Sequence, residues 1–378
     1  MPTGRLNIIR LSLFGGALSG ALLLGGCAGI YVLPSRMPPL DNQVTFHVPD
    51  LDVRDVSPEM VEFLNRYVAN AASLDSRAWN LAWAATDRNV LPFKYNPTLT
   101  LTSTETFRRK SGNCLAFSNM LVAMARSQGL KAWYQEVEIP PQWSSANSTV
   151  LVSLHVNVLL RGQFDEWVID ISGENVSASS KIRRISDSEA LAQHYNNLGA
   201  EALIADDLAG AYSYYTKAIE TSPDLPYLWS NLGVVYSRNG QIEDARQAYL
   251  EAFKIDPGNE NAANNLYVIY EKEGDHAAAQ SLQAKVERHR RKNPYYLYFL
   301  SSQATEQGDY EASAAMLQKA IKLNEKEYRF HYELARLQAL RGDQEAAQAS
   351  LRRALELAPD GSPIAGASVE NLPALPGP

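Results

Sequence analysis

Cysteine is almost absent from this chain. Two in 378 residues, Cys27 and Cys114, give no disulfide framework. Basic charge is also short: 35 Lys and Arg stand against 42 Asp and Glu, a formal net charge of −7. A surface with that balance is a poor match for a phosphate backbone, so a nucleic-acid partner is excluded. No glycine-rich phosphate loop occurs. The scattered carboxylates, with one Cys and one His between residues 51 and 193, lack the ligand spacing of a metal site. The apolar, small-residue run LSLFGGALSGALLLGG carries no charge, is rich in Gly and Ser and falls short of the roughly 20 apolar residues of a spanning helix.

That run follows Arg5 and Arg10 and ends in Leu24-Gly25-Gly26-Cys27, the layout of a secretory signal over residues 1–26. The tetrapeptide resembles the bacterial lipobox. The resemblance implies that Cys27 is acylated, becomes the new N-terminus and anchors the chain to a membrane. Ala28 stands where an aspartate tends to retain such proteins in the inner membrane. The expected location is therefore the outer membrane, facing the periplasm of a bacterial envelope. Removal of Arg5 and Arg10 leaves 33 basic and 42 acidic residues. Cys114 is then a free thiol in an oxidising compartment, which points to a residue kept for its reactivity.

Composition divides the remainder. Residues 27–50 are Pro-rich and read as a tether, residues 51–180 mix helix and strand patterns, and residues 187–359 are Ala- and Tyr-rich and helical. Residues 360–378 read as an unstructured tail. The helical part repeats with a period of 34: Leu198-Gly199 returns as Leu232-Gly233, and turn glycines recur at Gly240, Gly274, Gly308 and Gly342. Ala211, Tyr215, Ala218 and Pro223 return as Ala245, Tyr249, Ala252 and Pro257. In the third unit Tyr267 takes the place of the helix glycine, Gln283 that of the aromatic, and the basic run RHRRKNP follows its second helix. In the fourth, Ser313 replaces the usual alanine. The pattern resembles the tetratricopeptide repeat, in five units. The resemblance implies an all-α solenoid that binds a protein or peptide partner, with Asn196, Asn264 and Tyr332 on the binding surface. The basic run Arg288–Lys292 reads mainly as a solvated helix end favoured by the helix dipole.

Chemistry concentrates earlier. Ser111-Gly112-Asn113 supplies a turn and an N-cap, and Phe117, Met120, Leu121, Met124 and Ala125 follow at helical spacing until Gly129. Cys114 thus falls in a first helical turn, where unpaired amides and the dipole favour a thiolate. A thiolate nucleophile needs a base, usually an imidazole oriented by a third group. His155 is the one histidine in reach. It lies in TVLVSLHVNVLL, where Val152, Leu154, Val156, Val158 and Leu160 alternate with Ser153, His155 and Asn157. FDEWVIDIS alternates as well, with Asp170 opposite Trp167, Ile169 and Ile171. A two-residue type II′ turn at Gly162-Gln163 joins the two strands with Arg161 facing Phe164. In that register paired numbers sum to 325. His155 then faces Asp170 directly, with Leu154 against Ile171, Val156 against Ile169 and Val158 against Trp167.

Residues 55–180, through SGNC and its helix, GLKAWYQEV, His155 and EWVID, resemble the transglutaminase-like fold of papain-type cysteine enzymes. The chain departs from that pattern at Val156-Asn157, where an aromatic often follows the His. It departs again at Ile171-Ser172, where Pro-Thr often follows the Asp. The resemblance implies an α+β domain with Cys114 as nucleophile, His155 as base and acid, and Asp170 as orienter. No cofactor is implied. The expected activity is thiol acyl transfer, either amide hydrolysis or transamidation, with the repeats recruiting the substrate. The competing expectation is a non-catalytic outer-membrane scaffold that acts through its repeats.

Overall fold

The computed structural model describes residues 37–137, 155–171, 181–358 and 362–372, together with the backbone of 7–12, 138–146 and 149–154. Cys27 and the lipobox lie outside the described residues. The chain forms two compact units. One comprises residues 1–140 and 154–257; the other comprises residues 141–153 and 258–378.

In the first unit the mixed region contains β1 (Asn7–Ser12), α1 (Pro58–Tyr67), α2 (Leu74–Thr86), β2 (Lys94–Tyr95), α3 (Ser103–Arg109), β3 (Ser111–Gly112) and α4 (Cys114–Ser127). Strands β4 (Lys131–Ala146), β5 (Thr149–Arg161), β6 (Asp165–Asp170) and β7 (Ile182–Ile185) complete it; residues 141–153 of β4 and β5 fall in the second unit. The main sheet runs β1-β6-β5-β4-β7. Ser57 caps α1 by accepting from the Met60 amide, and Pro58 sits in the first turn, as the Ser-Pro pair predicts. Met60, Leu64, Leu81, Phe117, Met120, Tyr134, Val158, Leu160 and Trp167 are buried in a shared core. Residues 7–12, read in the sequence as part of a signal segment, form the strand beside β6, with Asn7 across from Asp170.

The β5–β6 hairpin exists, but its register differs from the one the turn predicts. Arg161 pairs with Glu166, Leu160 with Trp167 and Val158 with Ile169, so paired numbers sum to 327. The cause is a tertiary contact. The Asp75 carboxylate of α2 accepts from the amides of Gln163, Phe164 and Asp165 at 2.9, 3.1 and 3.1 Å, holding a wider turn than a type II′ pair. A slip of two residues preserves parity, so every side chain keeps its face.

The helical region consists of ten helices in five pairs. The first unit holds α5 (Asp187–Ile204), α6 (Leu208–Thr221), α7 (Pro226–Arg238) and α8 (Ile242–Ile255). The second holds α9 (Glu260–Glu273), α10 (His276–Lys292), α11 (Pro294–Glu306), α12 (Tyr310–Leu323), α13 (Tyr328–Leu340) and α14 (Gln344–Leu357). The turn glycines at 240, 274, 308 and 342 all adopt the left-handed region, with φ between 77° and 82°; Asp206 takes the equivalent turn of the first pair at 62°. Gly199 and Gly233 let a ring close in: a Cβ there would meet Tyr215 at 2.8 Å and Tyr249 at 2.5 Å. Ser313 is fully buried, and its hydroxyl lies 2.8 Å from that of Thr305, which reconciles it with an alanine position. The basic run does not follow the second helix of the third pair but closes it, because α10 continues to Lys292 before Asn293-Pro294.

Two segments read as loose are held. The Pro-rich stretch 37–51 lies across α5 to α8 as a strap. The Tyr212 and Tyr236 hydroxyls donate to the Pro38 carbonyl at 2.9 and 2.6 Å. Gln241 accepts from the Asp41 amide and donates to the Pro39 carbonyl. Further along, the Phe46 amide donates to Ser213, Lys217 pairs with Asp50 at 2.6 Å, and the Leu51 amide donates to Tyr195. Leu40 and Val48 are buried beneath it. At the other end, Ile364 is buried and a 3-10 turn at Val369–Asn371 packs on α13 and α14, so residues 362–372 are not a loose tail.

Candidate active site

The three residues singled out by the sequence meet in the first unit. Asn113 has extended backbone and its carboxamide oxygen accepts from the Ala116 amide at 2.9 Å, which starts α4 at Cys114. The Asn113 Nδ2 donates to Thr100 Oγ1 at 2.8 Å, and Glu201 of α5 accepts from the Thr100 amide at 2.9 Å. The first repeat helix therefore buttresses the loop that aims the thiol. Cys114 is free and half-buried, neither sealed in a core nor fully open.

His155 Nε2 lies 2.5 Å from Asp170 Oδ2. The Cys114 side chain also acts on the imidazole and favours its protonated form. With Nε2 committed to the carboxylate, Nδ1 is the ring nitrogen left for a second partner. Burial pushes the imidazole pKa down, but Asp170 and Cys114 outweigh it and raise it to about 10. The imidazolium is thus the favoured form beside the sulfur at neutral pH.

The register changes how the carboxylate is delivered. Asp170 stands across from Asn157, not from His155, and reaches the imidazole diagonally. Asn157 Nδ2 lies 3.4 Å from the same carboxylate oxygen, and Asn157 Oδ1 is buried without a partner. The sequence places Asn157 on the face of His155 and marks it as a departure from the family pattern, but assigns it no part in the site. The polar alternation of β5 also misled. His155, Asn157 and Leu159 are as buried as Val156, Val158 and Leu160, so both faces of the strand are covered. Among the described residues no group of His, Cys, Asp and Glu is placed to hold a metal ion, and no helix is long and apolar enough to cross a membrane.

On the helical side, Asn196 Oδ1 accepts from Asn231 of α7 at 2.8 Å, and Asn264 Oδ1 accepts from Arg290 Nε at 2.8 Å. Both are committed to neighbours within their own units. Tyr332 is half-buried on α13.

Two family models match the chain, both described as tetratricopeptide repeat, over residues 214–247 and 303–362. The helix pairs at these positions have the geometry the period predicts. These are tetratricopeptide repeats. No curated protein matches the chain. Among solved structures, it is similar to MamA residues 41–end from Desulfovibrio magneticus RS-1, at 18% identity over 46% of this chain and 96% of that one, with a TM-score of 0.28. It is also similar to TTC0263 of Thermus thermophilus, a thermophilic TPR protein, at 19% identity over 45% and 93%, with a TM-score of 0.34. A third is YrrB, a TPR protein with an unusual peptide-binding site, at 16% identity over 45% and 88%, with a TM-score of 0.26. Both family matches fall within the tetratricopeptide repeats. Such repeats serve protein–protein interaction.

Proposed function

We propose that the chain is an envelope lipoprotein in which a transglutaminase-like domain carries out thiol acyl transfer on a protein or peptide recruited by the tetratricopeptide repeats. The observation that carries this reading is an imidazole held through Nε2 by Asp170 and raised by the side chain of Cys114, which stands at the start of α4. In the reaction, the Cys114 sulfur attacks an amide carbonyl, forming a C–S bond and an oxyanion. The carbonyl re-forms as the C–N bond breaks, and His155 passes its proton to the departing amine. Water, or a second amine, then attacks the thioester and His155 takes the attacking group's proton; the carbonyl re-forms as the C–S bond breaks, which releases the acyl product and returns the Cys114 sulfur as thiolate beside the protonated His155. The Cys114 and Leu115 amides, at the first turn of α4, are suited to face the oxyanion. Asp170 holds the ring through both proton transfers. Lipidation at Cys27 would place this chemistry at the outer membrane; processing there would also remove β1 and free the outer edge of β6.

Alkylation by iodoacetamide at neutral pH, on full chain with Cys27→Ser, tests the coupling. His155→Ala should slow modification of Cys114 by about tenfold or more. An unchanged rate would sink the acyl-transfer reading.

A second reading, a scaffold whose first domain is silent, is favoured by both family matches lying in the repeats. Full chain carrying Cys114→Ser separates the two: complete retention of its envelope function favours the scaffold, and loss favours the enzyme.

A further inference from the structure

The third repeat breaks the pattern of its neighbours, and the break coincides with a cavity. In the first two repeats a glycine admits an aromatic ring from the second helix, Gly199 with Tyr215 and Gly233 with Tyr249. At the same positions the third repeat carries Tyr267 and Gln283. The ring stands on the other helix, and both positions line a cavity of about 340 Å³ together with Val286, Glu287, Arg290, Arg291 and Tyr296. That volume lies in the range of small-ligand sites.

Arg290 is its built element. The guanidinium carbon lies 4.9 Å from the ring centre of Tyr267 and 4.9 Å from that of Tyr296. Nε donates to Asn264 Oδ1 at 2.8 Å. Two rings and one hydrogen bond fix the plane, while Nη1 and Nη2 have no protein partner among the described residues. A fixed guanidinium edge with two open donors matches a carboxylate in bidentate geometry. Charge on the walls refines the choice. Glu287, which accepts from Gln283 Nε2 at 2.9 Å, opposes a dianion, and Arg291 adds a single further cation. A monoanion carried on an apolar stem is the better fit, since Val286 and the two rings supply the apolar walls.

We propose that the third repeat holds a carboxylate-binding pocket, centred on Arg290 between Tyr267 and Tyr296, for an acidic residue of a peptide partner. The proposal rests on the repeats as a protein-binding array and is independent of the thiol chemistry. The carboxylate could come from an Asp or Glu side chain or from a chain terminus, and the experiment distinguishes them.

Calorimetric titration of the full chain would use three hexapeptides: one blocked at both ends with a single internal Glu, the same with Gln, and the Gln version with a free C-terminus. Binding is expected near about 1 mM or tighter for one acidic peptide and absent for the blocked Gln peptide. Arg290→Ala should weaken it at least about tenfold, and Arg290→Lys most of the way, because a lysine keeps the charge but not the plane. Tyr267→Gly with Gln283→Tyr restores the neighbouring pattern, refills the cavity and should abolish binding; its melting curve checks the fold. Binding by the internal Glu assigns a side chain, and binding by the free terminus assigns a chain end. No saturable binding of either acid at about 10 mM, equal binding by Arg290→Ala, or binding of inorganic phosphate alone would overturn the proposal.

Discussion

Two buried histidines in the first unit respond to protons in opposite directions. His155 is raised by Asp170 and Cys114 in spite of its burial, to about 10. Its contribution to stability is therefore complete below the unfolded value near 6.5 and is lost as pH rises through about 10. His194, on α5, is 2% exposed, its Nδ1 has no partner, and burial lowers its pKa to about 4. Below about 6.5 the unfolded chain binds a proton that the folded chain refuses, so stability falls from there toward pH 4, by about 3 kcal/mol at most. Urea unfolding from pH 4 to 8 should show this acid limb, and His194→Gln should flatten it. An unaltered acid limb in His194→Gln would mean that carboxylates alone set the acid sensitivity. Neither shift was visible in the sequence, because both depend on what surrounds the ring rather than on what flanks it in the chain.

Single elements were legible to the degree that their signals are local. Ser57-Pro58, Asn113 and Gly129 mark helix ends by chemistry confined to a few residues; α1 begins where Ser57-Pro58 places it, and α4 begins and ends where Asn113 and Gly129 place it. The 34-residue period carried the five helix pairs for the same reason. The hairpin register was not local. Asp75 is nearly ninety residues from the turn whose amides it gathers, and no turn rule can count it. What survived was parity, which is why His155 and Asp170 share a face in either register. The strap and the ordered 362–372 segment were missed because Pro-rich composition reports local stiffness and says nothing of a docking surface far along the chain. Within α4, the cap carries both fold and site. Asn113→Ala removes the bond to Ala116 and leaves buried Thr100 without its donor, and should cost about 1–2 kcal/mol in urea unfolding. Asn113→Asp keeps the capping acceptor but loses the donor to Thr100, so it should fall between. Equal stability of all three would show that the cap is dispensable.

At the scale of the molecule, the strap joins the mixed domain to the first two repeats. Arg126 of α4 grips Asp187 of α5 through both terminal nitrogens, Glu201 supports Thr100, and residues 37–51 bind α5, α6, α7 and the N-cap residue of α8 before entering the mixed domain. Nine residues separate Cys27 from Met37. With a lipid on Cys27, as proposed above, the docked end of the strap would lie within about 35 Å of the bilayer. A free tether would allow the repeats to range farther than that. The distinction turns on how firmly the strap is seated, and Leu40 and Val48 are its two buried anchors, each 4% exposed. Replacing both by serine forfeits apolar burial of about 3–5 kcal/mol and leaves the polar contacts at its ends unsupported. Chymotrypsin acting after Phe46 reads the result, because a protease must draw several residues into an extended chain, and here the Phe46 amide is bonded to Ser213. The Leu40→Ser, Val48→Ser variant should be cut at least about tenfold faster than the wild type while the tetratricopeptide repeats stay helical by circular dichroism. Equal cutting rates would mean that the strap opens freely in solution and that residues 37–50 act as the tether their composition describes.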